Sequence, residues 1–109
     1  MNHHEDDIQA AIVRYFRLQY PNYIIAAVPN GAQRNKITAS ILKRTGTLAG
    51  FSDLIIILPN RVIFCEVKTE KGRQSENQKE FQKKIESLGY AYLVVRSIDE
   101  FINELKKYI

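Results

Sequence analysis

Two apolar runs separated by a tight break dominate the middle of the chain. They are Asp53-Leu54-Ile55-Ile56-Ile57-Leu58 and Arg61-Val62-Ile63-Phe64-Cys65-Glu66-Val67-Lys68, joined by Pro59-Asn60. β-Branched and aromatic runs of this length, bounded by such a pair, read as a hairpin. Proline fixes φ at about −65°, which excludes a type I′ turn and admits types I and II. With Pro59 and Asn60 at the turn centre, Leu58 opposes Arg61, and the ladder carried back sets Asp53 opposite Glu66. Side chains alternate along a strand, so Leu54, Ile56, Leu58, Ile63, Cys65 and Val67 share one wholly apolar face. The other face is apolar in the middle, at Ile55, Ile57, Val62 and Phe64, and ends in Asp53, Glu66 and Lys68. Such a hairpin calls for cover on both sides and carries its charges at one end.

The flanking sequence can supply the cover. From Glu5 to about Tyr20, Ile8, Ile12, Tyr15 and Phe16 recur at helical spacing, and Pro21-Asn22 ends the run. Tyr23 to Val28 reads as a strand stopped by Pro29-Asn30-Gly31, and Ala32 to about Thr45 as a second helix. After the hairpin and a turn at Lys71-Gly72-Arg73, Ser75 to Leu88 is predicted helical, with Phe81, Ile85 and Leu88 inward and Gly89 past its end. Tyr90 to Arg96 is a last strand, and Ile98 to Tyr108 a last amphipathic helix. The order α-β-α-β-β-α-β-α predicts an α/β fold, a mixed central sheet of about four strands flanked by helices.

At 109 residues the chain can bury roughly two thirds of its extended surface, enough for one core. A single domain over residues 1–109 is expected. One cysteine excludes a disulfide framework within the chain and a Cys-cage zinc site. The longest apolar run, Leu54 to Leu58, falls far short of the ~20 residues of a membrane span, and no secretory pattern opens the chain. These features lead us to expect a soluble cytoplasmic protein. The net charge of +4 is modest, but its distribution is uneven. No acid lies between Asn30 and Ser52, where Arg34, Lys36, Lys43 and Arg44 all fall. That bias suits a phosphate-facing surface.

The charged end of the hairpin suggests chemistry. Cross-strand neighbours have Cβ atoms roughly 4.5–5.5 Å apart, and two partly buried carboxylates cannot both stay ionised cheaply without a cation between them. Hard Mg²⁺ is typically held by one or two carboxylates, waters and substrate phosphate oxygens. Lys68 lies about 6.6 Å beyond Glu66 on the same face, within reach of the same water or phosphate. The plainer alternative is an ion pair of Lys68 with one acid at the sheet edge. Glu5 strengthens the first reading, because it precedes Ile8 by one turn on the apolar stripe and so faces inward. Gln78, with Gln82 one turn later, opens the helix after Lys68, where an amide can orient a water or phosphate. Ordinary helix surface is the expected place for Gln82. His3 and His4 read as mobile terminal residues, Cys65 as a small core residue, and Tyr90 and Tyr92 as core or edge packing.

The ordered set of Glu5, Asn30-Gly31 with Arg34, Gly46-Thr47-Leu48-Ala49-Gly50-Phe51-Ser52-Asp53-Leu54, Glu66-Val67-Lys68, Gly72, Gln78 and Gly89 resembles the virus-type replication-repair nuclease (VRR-NUC) family of the PD-(D/E)XK nucleases. The resemblance spans nearly the whole chain and departs at Ser52, where the family commonly has proline. It implies a metal-dependent endonuclease of bacterial or phage origin, acting in the host cytoplasm as a homodimer on branched DNA such as four-way junctions. On that reading Asp53, Glu66 and the Val67 carbonyl hold Mg²⁺, for which Mn²⁺ substitutes, with Glu5 a further candidate. Lys68 orients the water or neutralises developing charge, and Gln78 positions the nucleophile or phosphate. Arg34, Lys36, Lys43, Arg44, Lys71 and Arg73 contact the DNA backbone. Two other classes remain open at this point: a DNA-binding module without catalysis, and a plain interaction domain whose basic segment is incidental.

Overall fold

The computed structural model describes residues 3–29 and 36–109. In these residues four helices and a four-stranded sheet follow one another as α1 (His3–Gln19), β1 (Ile24–Ala27), α2 (Lys36–Arg44), β2 (Leu54–Leu58), β3 (Arg61–Val67), α3 (Glu76–Ser87), β4 (Ala91–Val95) and α4 (Ile98–Leu105). The element order is the one the periodicity predicts. The start of the second helix, expected at Ala32, falls outside the described residues. α4 stops at Leu105 rather than Tyr108, because Tyr108 N–H turns back to the Leu105 carbonyl in an i→i−3 bond that tightens the final turn.

The strands lie in the order β1-β2-β3-β4. β1 and β3 flank β2 antiparallel, while β4 runs parallel to β3 after the α3 crossover. The hairpin register is the predicted one, from Leu58 opposite Arg61 to Leu54 opposite Cys65. Asn60 has φ of 58°, the sign that position i+2 of a type II turn requires. Asparagine tolerates that region better than most residues.

The apolar hairpin face is buried as expected. Leu54, Ile56, Leu58, Ile63, Cys65 and Val67 join Ile12 and Phe16 of α1 and Phe101 and Leu105 of α4 in the main core. α1 and α4 reach this face because their apolar residues recur one turn apart. The second face departs from expectation. Phe81 and Ile85 of α3 pack on Tyr92, Phe51, Phe64 and Val94, covering the β3–β4 half. Ile24 and Ile57, which pair across β1 and β2, stay 54% and 42% exposed. One twelve-residue helix is too narrow to span four strands, so α3 leaves the β1–β2 half of this face uncovered.

The loop before β2 is fastened to α3. Gly50 has φ of +82°, and a Cβ there would lie 2.3 Å from the Asn77 carbonyl oxygen, so only glycine lets the two backbones meet. Ser52 is fully buried and donates to the Leu54 carbonyl at 3.1 Å. The loop after β3 is held from β4: Arg96 Nη1 donates to the carbonyls of Thr69 (2.7 Å), Glu70 (3.3 Å) and Gly72 (2.6 Å).

Candidate active site

Asp53 stands one residue before β2, and its carbonyl accepts from Val28 N–H at 2.8 Å. Its side chain reaches the neighbouring strand, where Oδ2 accepts the Val67 N–H at 2.7 Å. In an extended strand the N–H and C=O of one residue face the same neighbour. The Val67 carbonyl therefore opens toward Asp53 as well.

Glu66 sits in β3 with no exposed surface. Its Oε1 accepts two hydrogen bonds, from the Tyr92 hydroxyl at 2.6 Å and from Gln74 Nε2 at 3.2 Å. Its Oε2 is buried and accepts none among the described residues, with Lys68 Nζ 3.7 Å away. The Lys68 side chain is only 11% exposed, so this ion pair stands largely out of water. Gln74 also donates to Gln82 Oε1 at 2.8 Å, which fixes the direction of its amide.

The electrostatics bind these groups to Glu5, half-buried in the first turn of α1. Burial is the main cause that holds the Glu5 carboxyl above its usual range; Lys68 opposes the shift, and Asp53, Asp6 and Glu66 add to it. Asp53 is also pushed up, first by burial, with the Val67 N–H and Lys68 pulling back and Glu66 and Asp6 reinforcing. Burial and the bond to Glu66 raise the Tyr92 phenol, which keeps it a donor. Around Asp53, negative charge outweighs the single ammonium of Lys68.

The sequence-predicted residues divide accordingly. Asp53, Glu66, Lys68 and the Val67 backbone come together, and Glu5 lies near enough to feel all three side chains. Among the described residues no three His, Cys, Asp or Glu side chains are already gathered as a group able to hold one ion. Gln78 has a structural task at the start of α3. Its Oε1 accepts Ser75 N–H at 2.8 Å and its own N–H donates to Ser75 Oγ at 3.2 Å, closing a capping box on α3. Gln82, expected on ordinary surface, instead steers Gln74 toward Glu66. Lys43 and Arg44 are exposed at the end of α2, and Lys71 and Arg73 on the loop after Lys68. Arg34 and the Lys36 side chain lie outside the described residues.

Sequence reasoning passed over Gln74 and read Tyr92 as packing alone. Tyr92 pairs with Phe64, two residues from Glu66 on the same face, so its hydroxyl reaches Glu66 diagonally. A tyrosine in the interior of a covered strand needs a partner for its hydroxyl, and that need was the available signal. Gln74 lies outside every periodic run and offered none.

The chain matches the model of the VRR-NUC domain over residues 3–99. It belongs to the VRR-NUC family. Two solved structures share the fold. One, described as a VRR_NUC domain protein, is 24% identical with a TM-score of 0.75, covering 96% of this chain and 87% of its own. The other, described as a VRR_NUC domain, is 18% identical with a TM-score of 0.69, covering 97% and 98%. No curated protein matches the chain. This VRR-NUC chain is thus a nuclease-type domain of the PD-(D/E)XK kind. No helix among the described residues is long and apolar enough to cross a membrane.

Proposed function

We propose that this VRR-NUC domain is a Mg²⁺-dependent endonuclease that hydrolyses phosphodiester bonds in branched DNA, four-way junctions foremost, during replication, repair or recombination. One observation carries the reading: a buried carboxylate oxygen, Glu66 Oε2, that accepts no hydrogen bond among the described residues, one strand from a second, half-buried acid, Asp53. An orphaned anionic oxygen is costly unless a cation completes it, and Lys68 at 3.7 Å is too long for a hydrogen bond. Oxygen donors from Asp53, Glu66 and the Val67 carbonyl suit a hard divalent ion with the remaining positions left to water and phosphate.

When bound, such an ion polarises the scissile phosphate and lowers the pKa of its water. The protein's own groups do the rest. Asp53 and Glu66 fix the position of the ion, and the Val67 N–H holds the Asp53 carboxylate in place. Lys68 neutralises charge developing on the phosphate or orients the attacking water. Lys43, Arg44, Lys71 and Arg73 hold backbone phosphates, which gives affinity without base readout, and Arg34 and Lys36 extend that set in the sequence. Mn²⁺ replaces Mg²⁺. One chain presents one such centre, so symmetric cleavage of both strands of a junction calls for a homodimer, and the cytoplasm is the expected compartment.

The test sets linear, flap, fork and four-way DNA side by side with Mg²⁺, and with EDTA as control, while the mass in solution is measured on the same sample. Metal-dependent nicking of the branched substrates in preference to linear DNA supports the proposal. Binding without cutting would show a DNA-binding module instead.

A further inference from the structure

The two hydrogen bonds to Glu66 fall on one oxygen. A carboxylate oxygen offers two lone-pair sites, and at Oε1 both are taken, by Tyr92 at 2.6 Å and Gln74 at 3.2 Å. Neither donor is free to turn away. The Tyr92 ring packs against Phe81, with centroids 6.1 Å apart, and Gln74 gives its amide to Gln82 as well as to Glu66. The carboxylate therefore presents a single open oxygen, Oε2, to the side where Lys68 stands.

We infer that Tyr92, with Gln74, holds Glu66 as a one-oxygen ligand and thereby makes the site select Mg²⁺-sized ions over Ca²⁺. This rests on the metal-dependent reading above and deepens it. Mg²⁺ demands near-ideal octahedral geometry from few protein oxygens, whereas Ca²⁺ takes six to eight ligands and commonly draws both oxygens of one carboxylate. Blocking Oε1 denies Ca²⁺ that second oxygen and costs Mg²⁺ nothing. Tyr92 is a positioning residue: it acts through Glu66 and touches neither ion nor substrate.

The experiment follows free Mn²⁺ by its electron paramagnetic resonance signal in the presence of the full chain, then displaces bound Mn²⁺ with Mg²⁺ or Ca²⁺. Wild type, Tyr92→Phe and Gln74→Met are compared, each shown folded by its thermal transition. In the variants the preference for Mg²⁺ over Ca²⁺ is expected to fall by about tenfold, the lower end of what removing such a supporting partner does to metal affinity. A general loosening of the site weakens all three ions together and leaves the ratio where it was. Folded variants that bind Mn²⁺ with an unchanged ratio overturn the inference and leave the nuclease reading intact. A folded wild-type chain that binds no Mn²⁺ overturns both. Gln74→Met keeps the test open if Tyr92→Phe does not fold.

Discussion

The Val67 N–H donates to Asp53 Oδ2 at 2.7 Å, so the acid that precedes one strand is anchored on the backbone of the next. Burial nevertheless holds the Asp53 carboxyl above its usual range. Its ionised form is thus a burden on the isolated fold and an asset only when a cation is present. Asp53→Asn keeps an acceptor for the Val67 N–H and removes the charge. The variant is expected to unfold at or above the wild-type temperature without metal and to lose cleavage by roughly 100-fold or more. Calorimetry and a nicking assay on the same preparation measure both.

The same shift sets the pH dependence. Asp53 and Glu5 have folded-state pKa values raised above their unfolded ones. Between those values the native state binds more protons than the unfolded chain, so stability declines as pH rises through the window. Urea midpoints of the metal-free protein are expected to fall from about pH 4 upward over the span of those two titrations. The slope flattens in Asp53→Asn and in saturating Mg²⁺. An unchanged slope in Asp53→Asn would falsify the assignment of this pH dependence to Asp53.

Lys68 is the cation nearest the orphaned oxygen of Glu66, and both side chains are almost fully buried. Lys68→Met leaves Glu66 charged and unpaired, at a cost of about 3 kcal/mol in the metal-free protein, and abolishes cleavage. Glu66→Gln added to Lys68→Met removes the stranded charge, so the double variant is expected to be more stable than Lys68→Met alone. Urea unfolding of the four proteins gives the coupling.

Gln78 closes the capping box of α3. Gln78→Ala is expected to lose about 1 kcal/mol, whereas Gln78→Glu preserves the Ser-x-x-Glu pattern and its stability. If capping is its whole contribution, Gln78→Glu retains cleavage. A Gln78→Glu protein that is stable but inactive returns this side chain to the chemistry.

Gly50 and Gly46 form a controlled pair. Both have positive φ, but a Cβ at Gly50 meets the Asn77 backbone at 2.3 Å whereas one at Gly46 meets nothing within 4 Å. Gly46→Ala bears only the backbone strain, about 1 kcal/mol. Gly50→Ala bears the clash as well, and neither backbone can swing aside, so a loss above about 3 kcal/mol is expected. Thermal unfolding of the two variants compares them directly.

The hairpin was legible because two constraints agreed. A period of two fixes which residues share a face, and a two-residue turn fixes which residues oppose each other, so the pairing of Leu54 with Cys65 followed. Asp53 lies one residue beyond that ladder and meets β3 through its side chain, at the Val67 N–H. The glutamines were not legible in the same way. Gln74, Gln78 and Gln82 follow one another at four-residue spacing from just before α3 to its middle, and which of them reaches Glu66 depends on where the helix begins. Ser75 caps the helix and takes Gln78 for itself, leaving the site to Gln74 and Gln82. The face that α3 leaves uncovered at Ile24 and Ile57 escaped notice for a different reason: strand periodicity tells which residues share a side, not how wide a covering helix will be.

Arg96 clasps the segment after Lys68 through three carbonyls, and Gly50 seats the segment before Asp53 on α3. Both segments that flank the acids are thereby pinned to regular structure. Little ordering entropy is left to lose in these two segments on binding, so on the proposed nuclease reading the adjustment of shape falls to the DNA.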